Sequence, residues 1–306
     1  MSIAVQTTIA AVRQAVAAAR AEGLTVGLVP TMGALHAGHA ALIAQLRGHC
    51  PFVVVSIFVN PLQFAAHEDL DRYPRQLAAD CALCAAEGAS LVFAPPVSEL
   101  YPPGFATTVD VGPLAQRVEG ASRPGHFRGV ATVVLKLFNI VQPDAAIFGQ
   151  KDAQQVAVIR QLVRDLDLPI RLLVAPTVRE PDGLALSSRN AYLSPPERRA
   201  AVVLARALDR ALAAVAGGER EVARLEAYLA ETITAEPLAQ LDYARVVDAD
   251  TFEPIITLDD RPALAVLAVR IGSTRLIDNA PLWPPASQPG TNRDSPTDTA
   301  ATPRTA

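Results

Sequence analysis

The stretch Val29 to Leu42, VPTMGALHAGHAAL, sets two imidazoles, His36 and His39, three residues apart with Gly38 between them, after an apolar run and a turn rich in Pro and Gly. Side chains at i and i+3 on a first helical turn share a face, and imidazole N–H groups there can donate to anionic oxygens. The free backbone N–H groups and the dipole of a helix start favour the same anion. Gly33 and Gly38 allow a ligand close to the backbone. The competing account is that histidines at a helix start are capping or solvated. The pattern is not a Walker A loop, since no G-K-[ST] follows, and the glycine spacing is wrong for a G-x-G-x-x-G turn. A nucleotide attacked at its α-phosphorus needs donors aimed at the charge developing there, and imidazoles plus a lysine supply them.

Of the 27 basic residues only Lys136 and Lys151 are lysines. Lys151, in FGQKDAQQ, follows an apolar strand and is the candidate phosphate cation, with Asp152 and Gln155 beside it. Lys136, inside TVVLKLFNIV, is expected to snorkel over apolar surface. Asn60 and Gln63, in FVNPLQF, form another polar cluster at a strand end. In LALSSRNAYLSP, Ser187, Ser188 and Arg189 could close over phosphates as a lid, bidentate arginine geometry suiting that task. Taken alone, that segment reads as a Ser/Asn turn between domains.

The elements that position these groups alternate. A first helix runs to about Ala21, LTVGLVP reads as a buried strand, HAALIAQLRGHC as a helix and PFVVVSIFVNP as a second strand. A helix over about Leu77 to Glu87 leads to the strand SLVFAP. Farther on, GVATVVLKLFNIVQP is helical, DAAIFGQ a strand, AQQVAVIRQLVRDLD a helix and IRLLVAP a strand. This is the texture of a parallel sheet with crossover helices, an α/β fold, in which ligands bind beyond the carboxyl ends of the strands. The unit ends near Val178, giving a domain over 1–178. Two Ala-rich helices (about Pro195 to Ala216 and Glu219 to Ala235) and three short strands then predict a smaller α+β domain over 179–283. Residues 284–306 are rich in Pro, Ser, Thr and Asp and predict a disordered tail.

Composition narrows the function. A chain of 306 residues with net charge −4 does not predict a general nucleic-acid surface. No signal peptide or membrane span is expected, and three cysteines fit a reducing, cytoplasmic setting better than a disulfide scaffold. Cys81 and Cys84 form a C-x-x-C inside a helical Ala/Leu pattern, with no second ligand pair near it, and predict helix packing.

The stretches PTMGALHAGH, SIFVNPLQF, DLDRYPRQLAAD, RPGHFRGVATVVLKLFNIVQPD, FGQKDAQQ and TVREPDGLALSSRN together resemble the pantothenate synthetases, pantoate:β-alanine ligases of the H-x-G-H nucleotidyltransferase superfamily. The resemblance implies a Rossmann-like N-terminal domain, a smaller C-terminal domain hinged over it as a lid, and a homodimer. It implies ATP with Mg²⁺, D-pantoate and β-alanine as substrates, condensed to pantothenate through a pantoyl adenylate with release of AMP and pyrophosphate. It assigns ATP to Pro30, Thr31, Met32, Gly33, His36, Gly38, His39, Gly149, Lys151, Asp152, Val178, Ser187, Ser188 and Arg189. Of these, His36, His39, Lys151, Ser188 and Arg189 would carry the catalysis. Pantoate and β-alanine would fall to Gln63 and Gln155 with Asn60, Arg123 and His126 nearby, and Asp80 to the metal side. The chain departs from the family pattern at Ala37, Ala40, Gln150 and Ala153 without losing a proposed ligand. Two rivals remain: another H-x-G-H nucleotidylyltransferase acting on a phosphorylated acceptor, and a catalytically silent nucleotide-binding or metal-sensing protein. The first calls for extra basic residues, whereas Asn60, Gln63 and Gln155 are neutral.

Overall fold

The computed structural model describes residues 3–65 and 68–283, so the tail predicted over 284–306 lies outside the described residues. In chain order the first half runs β1 (Ala4–Gln6), α1 (Ile9–Ala21), β2 (Val26–Thr31), α2 (Ala37–Arg47), β3 (Phe52–Ile57), α3 (Leu77–Ala86), β4 (Leu91–Phe93), α4 (Val97–Leu100), α5 (Val118–Ser122), α6 (His126–Val141), β5 (Ala145–Gly149), α7 (Ala153–Asp165) and β6 (Arg171–Ala175). The six strands form one parallel sheet in the order β1-β4-β3-β2-β5-β6. The buried runs of β2, β3 and β5 are what a sheet covered on both faces demands. On α6, Phe127, Val130, Ala131, Val134, Leu137, Phe138 and Val141 recur at helical spacing and are all buried against that sheet.

From β2 the chain steps outward through β3 and β4, then returns to pair β5 on the other side of β2. The crossovers after β2 and β5 therefore leave in opposite directions, and the gap between their carboxyl ends is the switch point where α/β sheets hold ligands. The loops at those ends are 32–36 and 150–152, the two that carry His36 and Lys151.

The second half adds α8 (Pro195–Ala200), α9 (Val203–Ala216), α10 (Val222–Thr234) and the antiparallel strands β7 (Ala239–Asp248), β8 (Ala263–Ile271) and β9 (Thr274–Trp283), ordered β7-β8-β9. One face of this small sheet packs on α9 and α10 through Ala265, Leu267 and Val269. The other sends Val247, Leu264 and Val266 into the core cluster of α6 and α7, joined by Phe252 of the loop after β7. That double burial explains why β8 is an almost unbroken apolar run although antiparallel.

Three features differ from the sequence reading. The edge strand β1 precedes the first helix; three residues with little burial carry no period to read. The helix expected over about 195–216 is two, because around Ala201 and Val202 the bonds tighten to i−3 (Val202 N–H to the Arg199 carbonyl, Leu204 N–H to the Ala201 carbonyl). Between β4 and α6 lie two short helices whose brevity hides them from a periodicity argument. No helix among the described residues is long and apolar enough to cross a membrane.

Candidate active site

At the switch point lies a cavity of about 230 Å³. Its floor begins with the loop after β2. Gly33 has φ +86°, and its missing Cβ would stand 3.0 Å from Asp80 Oδ2. Beneath the loop Asp80, 1% exposed, accepts the Ala34 N–H on Oδ2 (3.0 Å) and the Leu35 N–H on Oδ1 (2.8 Å). Asp80 is therefore corrected from its metal-side assignment: both oxygens face backbone amides under the loop, and neither Asp80 nor Gly33 lines the cavity. Among the described residues no three His, Cys, Asp or Glu gather into a group that could hold a metal ion by themselves.

His36 caps α2, and the two histidines close on each other. His36 Nδ1 accepts the Gly38 N–H at 3.1 Å, and His39 Nδ1 accepts the His36 N–H at 3.3 Å, with ring centroids 4.2 Å apart. A backbone N–H can only donate, so each Nδ1 is unprotonated and each ring proton sits on Nε2, the donor left for a ligand. Burial first, then the charges of His36 and Lys151, holds the His39 pKa down to about 3. Burial and Lys151 lower His36 as well. At neutral pH both rings are uncharged donors. Capping and ligand binding are thus compatible, each using a different ring nitrogen.

The floor's other half is the turn after β5. Lys151 Nζ lies 3.7 Å from Asp152 Oδ1, and both line the cavity with Gly149. Next in sequence, two glutamines divide their work. Gln154 is buried, its amide donating to the Leu114 and Arg117 carbonyls and accepting from Glu119 N–H, whereas Gln155 faces the cavity.

The wall is the turn 60–63 against α6. Asn60 engages its amide internally, Nδ2 on Gln63 Oε1 and the Gly129 carbonyl (both 3.1 Å), Oδ1 on the Tyr101 hydroxyl (2.8 Å). It positions Gln63, whose Nε2 reaches Met32 Sδ at 3.0 Å. A Cβ on Gly129 would collide with the Leu62 carbonyl, so only glycine lets α6 approach this closely. His126 Nδ1 lies 2.8 Å from the Gln63 carbonyl and must donate there, leaving Nε2 to accept from Arg123 Nη1 at 3.2 Å. Burial, then the Arg123 charge, brings His126 down to about 4. Arg123 is itself paired with Glu68 at 2.6 and 2.8 Å, so this wall presents little net positive charge.

The roof joins segments far apart in sequence. Arg189 forks onto Asp69 with two contacts of 3.0 Å, Ser188 Oγ lies 3.3 Å from the Tyr73 hydroxyl, and Tyr192 donates to the Arg72 carbonyl. Ser187 caps this turn by accepting the Arg189 N–H, and Val178 lines the cavity through its pairing with Leu186. Asp69 and Tyr73 carry no role in the sequence reading, since nothing local announces partners more than a third of the chain away. Asp278 and Asn279 of β9 escape it likewise, their partners lying 99 and 129 positions away.

All the residues expected around ATP and the acid substrate, Gly33 and Asp80 excepted, line this one cavity. Lys136 does not; its Nζ lies 4.7 Å from the Phe105 ring centre and 5.9 Å from that of Tyr101, a stacked cation over apolar surface as expected. Cys81 and Cys84 are free thiols packed on α3 beside Leu46 and Val55.

The family model described as pantoate-beta-alanine ligase matches residues 4–281. A pantothenate synthetase of Heliobacterium modesticaldum is 59% identical over 84% of this chain and 92% of that protein. The crystal structure of pantothenate synthetase from Thermus thermophilus superposes with a TM-score of 0.87 at 48% identity, covering 92% of this chain and all of the other. A pantoate-beta-alanine ligase from Francisella tularensis, complexed with beta-gamma ATP and beta-alanine, gives a TM-score of 0.75 at 34% identity, covering 92% of this chain and 98% of that one.

Proposed function

The chain belongs to the pantoate-beta-alanine ligase family, and from that premise we propose how its own residues join pantoate to β-alanine with consumption of ATP. A carboxylate and an amine do not condense in water, because hydroxide leaves poorly and the amine is protonated. The carboxylate must first be activated. In the first step a pantoate carboxylate oxygen attacks the α-phosphorus in line; the new O–P bond forms as the bond to the β-phosphate oxygen breaks, giving pantoyl adenylate and pyrophosphate. In the second, the free amine of β-alanine attacks the acyl carbon, the acyl C–O bond to AMP breaks, and the amine proton passes to AMP phosphate or solvent.

The protein supplies no nucleophile, so its share is alignment and charge stabilisation. The N-terminus of α2 and the Nε2–H groups of His36 and His39 donate to the α-phosphate without adding charge, while Lys151 and the Ser187–Arg189 turn meet the rest of the triphosphate. Gln63 and Gln155, neutral amides, hold the acid without pairing its carboxylate with a fixed cation, which would blunt its attack. Mg²⁺ needs few protein carboxylates beside a triphosphate, and the half-exposed Asp152 beside Lys151 on the cavity lining would hold it. When bound, it would supply positive charge against the phosphates. A lid role for residues 179–283, a homodimer and a cytoplasmic setting remain part of this proposal, supported by the family resemblance and, for the setting, by three free thiols.

The observation that carries the reading is the convergence of His36, His39 and Lys151 with Gln63 and Gln155 on one cavity. The neutral wall argues against a phosphorylated acceptor. Supplying pantoate and β-alanine singly and together tests it. Pyrophosphate release is expected to require pantoate, and steady AMP production to require both. Release with neither, or with β-alanine alone, would refute it.

A further inference from the structure

Lys151 sits on a three-residue 3₁₀ turn, 150–152, without a side-chain cap, and Gly149 before it has open space where a Cβ would be. What fixes the turn comes from the other sheet. Asn279 of β9, 4% exposed, donates from Nδ2 to the Gln150 carbonyl and to the Lys151 carbonyl, both at 2.9 Å, while its Oδ1 accepts from Gln150 Nε2 at 3.3 Å. Both hydrogens of one amide are thus committed to adjacent carbonyls, leaving the turn little freedom to rotate. Asn279 is itself held: its N–H donates to Asp278 Oδ1 at 2.8 Å, and that carboxylate receives two hydrogen bonds from Arg179, at 2.6 and 3.0 Å. Arg179 directly follows Val178, so β9 grips both edges of the cavity between which a nucleotide would lie.

We propose that Asn279 is a positioning residue for Lys151, setting from the small sheet the place of the turn that carries the lysine. A lysine head on a flexible stem is located only as well as its Cα, and misplacing a charge by about 1 Å can cost about 10² in rate. The proposal rests on the role given to Lys151 above, and the test separates the two.

Single-turnover pyrophosphate release in the presence of pantoate is measured for the wild type, Asn279→Ala, Lys151→Ala and the double variant, with folding checked by circular dichroism. Asn279→Ala is expected to lose about tenfold, the loss of anchoring being smaller than the loss of the group itself. In the Lys151→Ala background it should change the rate by less than about twofold, because a residue acting through another adds nothing once that other is gone. A merely structural residue would slow both backgrounds equally. That additive result, or a wild-type rate in folded Asn279→Ala, overturns the proposal. A wild-type rate in Lys151→Ala overturns the lysine's own role first, and the two failures are told apart by that single variant. Should Asn279→Ala fail to fold, Asn279→Ser keeps one donor and is expected to lose roughly threefold with the same non-additivity.

Discussion

The floor of the cavity and its roof are secured by different bonds. Below, the loops after β2 and β5 are tied through their backbone groups: the buried Asp80 carboxylate accepts from Ala34 and Leu35, the Gly38 and His36 N–H groups donate to the rings of His36 and His39, and the Asn279 amide donates to the Gln150 and Lys151 carbonyls. Above, residues 68–73 meet 187–192 through side chains alone or nearly so, an Arg189–Asp69 fork, a Ser188–Tyr73 hydroxyl pair and the Tyr192 contact, all partly open to water. Backbone groups held by such partners cannot drift without leaving a polar group unpaired, whereas contacts between side chains fix the main chain behind them less directly. The floor is fixed through its main chain, and the roof through its side chains.

Four experiments probe that contrast. Removing a floor donor should matter most: His39→Ala or Lys151→Ala is expected to slow adenylate formation by about 10² or more, the usual effect of losing one preorganised donor. Near-normal formation in either would take that residue out of the chemistry. Next comes the support beneath. Asp80→Ala strips two buried N–H groups of their acceptor and should cost about 2–4 kcal/mol, read from the urea midpoint. A loss below about 1 kcal/mol would mean that the loop keeps its shape without the carboxylate.

Acid should separate the buried imidazoles from the carboxylates paired with arginine. His39 and His126, held down to about 3 and about 4, bind fewer protons folded than unfolded at any pH between those values and 6.5. Their folded-state advantage is complete above about 6.5 and erodes as pH falls below it. In Glu68 and Asp69 burial, which raises the pKa, is outweighed by Arg123 and Arg189, leaving both below their ordinary values of 4.5 and 3.8. Their contribution is present above those values and is lost only as pH falls through the lower folded ones. Stability followed by urea unfolding should therefore begin to decline near pH 6.5, well before Glu68 and Asp69 titrate. A profile flat down to about pH 4.5 would contradict the buried, neutral state of the imidazoles. The smallest effect is expected from Asp69→Asn, which removes one arm of the roof fork while its amide oxygen can still accept from Arg189, and should lower stability by about 1 kcal/mol. A larger loss would make the roof as rigid as the floor.

Legibility in the sequence follows the same division. The floor could be read because its chemistry is local: H-x-G-H opens a helix, Lys151 ends a strand, and the strand alternation brings both to the sheet's carboxyl edge. The amide pairs could be read only in part, since the pattern does not say that Gln154 turns inward and Gln155 outward. Asp80 is misread because a carboxylate near a phosphate site and one buried under a loop have the same letter. The roof, and the Asp278–Asn279 support, depend on contacts across 99 to 129 positions, and no period or spacing records a partner at that distance. The edge strand β1 escapes for want of length.

The glycine at 129 has one more implication. With its carbonyl bonded to Asn60 and no room for a methyl group against Leu62, α6 and the 60–63 turn already touch backbone to backbone. Substitution there can only pry them apart. Variation at this point of the cavity wall is therefore one-directional: a side chain at 129 can only widen the gap between α6 and the turn, and any narrowing must come from residues elsewhere on the lining.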